Sequence, residues 1–79
     1  MKHARADYNR IQDPAEKIPA DEPVFLLRGQ DIHAPGILFE YAERVRAAGG
    51  DLKIVELTRN QAQRMSDWQR DVAHKAPDV

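Results

Sequence analysis

Apolar side chains along this chain gather into three stretches separated by glycine and proline. The first, Val24-Phe25-Leu26-Leu27-Arg28, runs without alternation between Pro23 and Gly29. That pattern predicts a short strand covered on both faces. Asp21 as an N-cap, Pro23 in a first turn and Gly29 as a stop would also suit one short helix, and the strand is the preferred reading. No second strand signal occurs elsewhere. A lone strand leaves backbone donors and acceptors unpaired along both edges, so its expected partner is a copy of itself.

The other two stretches have helical periodicity. Pro35 is placed for the first turn of a helix that should end at Gly49-Gly50, because a missing N–H costs nothing there and glycine suits a helix stop. At 100° per residue, Ile37, Leu38, Tyr41, Ala42, Val45 and Ala48 form one face, with Glu40, Glu43 and Arg46 opposite. Phe39 falls among the charges and reads as a second contact surface. Asp51 can cap a second helix running to about Lys75, with Ile54, Leu57, Met65, Trp68 and Val72 on one stripe and Glu56, Arg59, Gln63 and Arg70 opposite. Gln61 lies inside that stripe, where an amide needs hydrogen-bond partners or marks the entry of a ligand or second chain.

At 1.5 Å per residue the first helix spans roughly 21 Å and the second roughly 36 Å. In a hairpin turning at Gly49-Gly50, Met65, Trp68 and Val72 overhang the shorter helix and need another cover. The fold expected is therefore α+β and mostly α: a short strand followed by an antiparallel two-helix hairpin in residues 24–76, assembled as a homo-oligomer. Residues 1–23 carry Pro14, Pro19 and Pro23 with few large apolar groups, and read as an extended arm. Its Tyr8, Ile11 and Ile18 are expected to pack across the body or onto a neighbour.

Composition narrows the function classes. The chain has 79 residues, 42% hydrophobic and 32% charged, which is enough for one core. It has no cysteine, which excludes disulfides and cysteine-based zinc sites. No apolar leader or long uncharged run is present, so the cytoplasm is the expected compartment and no membrane partner is expected. A net charge of −1 argues against duplex nucleic acid as a partner.

The densest polar cluster is Arg28-Gly29-Gln30-Asp31 followed by His33, before a helix N-terminus. Such a place suits an anionic ligand: Gly29 allows close backbone approach, helix N–H groups favour negative charge, and Arg28 offers a planar fork to phosphate. The competing role is structural, with Arg28 paired to Asp31 or the arm and Asp31 capping a turn. Tyr41, Trp68 and Tyr8 are able to stack on bases, although Trp and Tyr at stripe positions are more often core. The expected ligand-binding set is Arg28, Gln30, Asp31, His33, Tyr41 and Trp68. His3, His33 and His74 lack metal-site spacing, so neither metal nor cofactor is expected. One serine, Ser66, without a nucleophile elbow or phosphate-binding loop, leaves no catalytic residues to name, and the chain is expected not to be an enzyme.

The stretch Glu22 to Asp31, then Ala34-Pro35, a helix, Gly49 and Trp68-Gln69 resembles a group of small phage and prophage proteins over roughly residues 7–70. The resemblance implies a viral or mobile-element context and supplies no catalytic residues. One class of small anti-defence proteins is similar in size and outline, being α-rich homo-oligomers that sequester cyclic nucleotide signals of bacterial immunity. By that analogy the expected function is a sponge for such a signal, with the host cytoplasm as its place of action. The other reading is an inhibitor module that docks on a host protein through Phe39 and the arm.

Overall fold

Two helices joined by a two-glycine turn organise the chain. The computed structural model describes residues 2–3 and 13–76. Tyr8 and Ile11 lie outside the described residues. Helix α1 covers Ala34–Ala47 and helix α2 covers Leu52–Asp71. Both starts follow from local chemistry, with Pro35 in the first turn of α1 and the Asp51 carboxylate accepting the Lys53 N–H at 2.8 Å at the head of α2. Between them the Gly49 N–H donates to the Arg46 carbonyl at 3.0 Å and the Gly50 N–H to the Val45 carbonyl at 2.9 Å. That pair of bonds is a Schellman motif, and Gly49 supplies its left-handed residue at φ 74°. The hairpin expected from the sequence is present.

Helix α2 ends four residues short of Lys75, because the chain beyond it is diverted. The Lys75 N–H donates to the Gln30 carbonyl at 2.8 Å, and the Lys75 carbonyl accepts the Ile32 N–H at 3.1 Å. This parallel bridge ties the end of the chain to the segment that leads into α1.

The strand differs from expectation in length and in partner. Strand β1 (Lys2–His3) pairs in parallel with β2 (Pro23–Val24), Lys2 opposite Pro23 and His3 opposite Val24. Regular strand pairing therefore stops at Val24, and it is satisfied within one chain. The short strand does not call for a second copy to pair with it. From Phe25 onward the chain turns instead. The Asp31 N–H donates to the Arg28 carbonyl at 3.0 Å, and the Ala34 N–H to the Asp31 carbonyl at 3.0 Å, so two consecutive turns deliver it into α1.

The seam between the helices is made of small residues. Among the described residues Ala34, Ala42, Val55 and Ala62 are the buried apolar side chains, with Pro35 also buried. On α2 the packed line passes through Val55, Ala62 and half-buried Gln69, about 100° around the helix from the stripe of large apolar residues. Alanines at the contact let two backbones approach closely; the bulky side chains flank the seam. Ile37, Tyr41, Ile54, Leu57 and Val72 are consequently exposed, and so is Trp68 at 42%. Trp68 and Tyr41 are not core residues of the single chain.

The overhang of α2 is covered in part. A Cβ on Gly29 would stand 3.9 Å from Met65 Cγ, so the 28–31 segment lies over half-buried Met65. Gln69 fastens that segment, its Nε2 donating to the carbonyls of Gly29 at 3.0 Å and Asp31 at 2.6 Å. No helix is long and apolar enough to cross a membrane among the described residues.

Candidate functional site

The turn segment and the overhanging end of α2 enclose a groove of about 350 Å³ lined by Arg28, Gly29, Gln30, Gln61, Arg64, Met65 and Trp68. Its volume is at the lower end for small-molecule sites. Three residues of the expected set, Arg28, Gln30 and Trp68, meet here although Arg28 and Trp68 are 40 positions apart. The other three do not line it. Asp31 works as a turn residue, its Oδ1 accepting the His33 N–H at 2.8 Å. His33 occupies the N-cap position of α1 with its ring exposed and makes no capping bond. Tyr41 lies on a second groove of about 430 Å³, with Leu27, Ile37, Leu38, Leu57, Thr58 and Gln61. The N-terminus of α1, expected to present N–H groups to a ligand, contributes no residue to the first groove.

Arg64 was not foreseen from the sequence, and its role emerges from the pattern of ion pairs. Arg44 bonds Glu40 at 2.8 Å, Arg46 bonds Glu43, Arg59 reaches Glu43 at 3.4 Å, and Arg70 holds Asp71 at 2.9 Å and Asp67 at 3.3 Å. Hydrogen bonding to the paired guanidinium holds the carboxyls of Glu43 and Asp71 below the usual carboxylate range, and correspondingly raises Arg46 and Arg70. Arg28 and Arg64 form no ion pair among the described residues, and both line the groove. The pairing of Arg28 with Asp31 weighed from the sequence does not occur: the Asp31 carboxylate faces a backbone N–H. A local signal for Arg64 did exist. It stands four residues before Trp68 on the same helix face, and the acid three residues after it, Asp67, is bonded by Gln63 at 3.0 Å and by Arg70.

Chemically, the groove joins two guanidinium groups, an indole face, a carboxamide from Gln61 and backbone at Gly29. Guanidinium groups recognise phosphate or carboxylate through paired hydrogen bonds, and the indole offers a stacking surface to a planar ring. Gln61 also lines the apolar groove, so the two depressions share one wall. No family model matches the chain, and neither curated proteins nor solved structures show a significant match to it.

Proposed function

We propose that this chain is a binding module that retains an anionic, ring-bearing small ligand of the cyclic nucleotide class, and that retention itself is its activity. The observation that carries the reading is the meeting of Arg28 and Arg64, neither paired with an acid among the described residues, beside half-exposed Trp68 in one groove. Two guanidinium groups lining one groove, neither paired with an acid among the described residues, are able to hold a phosphate through charge-assisted bonds. Sequestration of a cyclic nucleotide immune signal by a phage-encoded protein is the biological form this reading takes. Gln30 and Gln61 supply neutral donors and acceptors at the rim, and Trp68 stacks on the base.

Calorimetry against a panel of cyclic di- and trinucleotides tests it. Expected are saturable binding by the parent chain and a weakening of about 10- to 100-fold in Arg28→Ala and in Arg64→Ala, the range for loss of one charged hydrogen-bonding group. Both variants should melt with the parent, because neither side chain forms a hydrogen bond or ion pair among the described residues. If the parent binds none of the panel, the sponge is refuted. The reading that then stands is docking on a host protein. It is favoured by one specific feature, the apolar side chains left exposed on both flanks of the helical seam, Phe39 at 40% among them.

A further inference from the structure

Taking the Arg28–Arg64 groove as a phosphate site, as proposed above, we infer that the apolar groove beside Tyr41 is the second half of the same site and takes the second base of a cyclic dinucleotide. The first groove, about 350 Å³, has one aromatic side chain, Trp68, and so serves one ring. The second, about 430 Å³, has its own in Tyr41. Both aromatics are open to a ligand, Trp68 at 42% and Tyr41 at 54% exposure. Neither groove alone offers two stacking faces.

The two grooves lie end to end along α2. Leu57 and Thr58 line the second, Arg64, Met65 and Trp68 line the first, and Gln61 lines both. At 100° per residue all of these stand within about 60° of Gln61 around the helix, so one face carries both grooves. At 1.5 Å per residue, Leu57 and Trp68 mark a trough roughly 16 Å long. A second stretch of chain is shared as well, because the consecutive residues Leu27 and Arg28 line one groove each. Gln61 is exposed and makes no side-chain hydrogen bond among the described residues, so its carboxamide can donate to and accept from a ligand that crosses from one groove to the other.

The lining of the second groove matches a base better than a hydrocarbon chain. A base has apolar faces and a polar edge, and proteins hold it between aromatic and apolar side chains with hydrogen bonds to that edge. Leu27, Ile37, Leu38 and Leu57 supply apolar wall beside Tyr41, while Thr58 and Gln61 supply a hydroxyl and a carboxamide. A hydrocarbon chain has no use for either polar group. None of the described residues lining this groove is charged, so the phosphates stay with Arg28 and Arg64. One base then stacks on Trp68 and the other on Tyr41.

Calorimetry of the full chain with cyclic di-adenosine monophosphate, cyclic adenosine monophosphate and dodecyl phosphate tests the second groove separately from the first. The parent should hold the dinucleotide at least about 10-fold more tightly than the mononucleotide. Tyr41→Ala should weaken the dinucleotide by about 5- to 150-fold, the equivalent of one stacked base, and change the mononucleotide by less than about two-fold. Trp68→Ala should weaken both ligands. A melting curve accompanies each variant, and if Tyr41→Ala unfolds, Tyr41→Leu, which keeps an apolar side chain without the ring, decides in its place. Equal affinity of the parent for the dinucleotide and the mononucleotide overturns the inference and leaves the phosphate groove standing. So does a folded Tyr41 variant that binds the dinucleotide as the parent does. Dodecyl phosphate bound as tightly as the dinucleotide overturns it as well, since the second groove would then be taking hydrocarbon. Binding of none of the three refutes the phosphate groove and the second half together.

Discussion

Gln69 is expected to decide whether the groove exists. Its amide is the one side-chain donor that ties the Arg28–Asp31 segment to α2 among the described residues, through bonds of 3.0 Å to the Gly29 carbonyl and 2.6 Å to the Asp31 carbonyl. Each such bond contributes about 0.5–1.5 kcal/mol net, so Gln69→Ala should destabilise by about 1–3 kcal/mol. For a domain of this size that is a fall in melting temperature of roughly 5–20 °C. Gln69→Glu is the sharper perturbation. It keeps the shape but replaces the donor by a carboxylate aimed at two carbonyl oxygens, and it should melt below the alanine variant at pH 7. Protonation restores one O–H donor, so the glutamate variant should recover stability as the pH falls toward about 4–5, where the parent does not. Thermal melts followed by circular dichroism at pH 7 and pH 4.5 read all three proteins. If Gln69→Glu melts within about 2 °C of the parent at pH 7, the two bonds carry no stability and the segment is held by other contacts.

The remaining predictions concern the seam and the turn. Gly50→Ala should destabilise more than an ordinary exposed substitution, because its Cβ would stand 2.7 Å from Val45 Cγ1 and 3.0 Å from the Val45 carbonyl oxygen. Gly49→Ala should cost about 1 kcal/mol through its left-handed backbone alone, and urea melts of the two variants separate crowding from strain. Ala62→Leu should destabilise by about 1–3 kcal/mol or more, since Ala62 is fully buried where the helices meet. Leu52→Ala, at a residue 71% exposed, should leave the urea midpoint within about 0.5 kcal/mol of the parent, and an equal effect at both sites would mean that the small-residue seam is not the core.

What the sequence determined by itself was local. Pro35, Gly49-Gly50 and Asp51 place the helix boundaries because each acts within a turn of its own position: a missing N–H, a left-handed backbone, a carboxylate over free N–H groups. The composition of the Arg28–His33 cluster was visible in the same way, as was the amphipathic character of both helices. The tertiary structure decided which line of each helix became the seam. Periodicity weights a position by hydrophobicity and so selects Leu57 and Trp68, whereas close approach of two backbones selects small side chains, Ala42 and Ala62, and leaves the large ones at the flanks. It also decided that Arg28 and Arg64, 36 positions apart, share a groove, and that Asp31 turns the chain rather than holding an arginine. No local pattern encodes such pairs, because their distance depends on how the turn segment is clasped by Gln69 and by the Lys75 bridge after the helices have met.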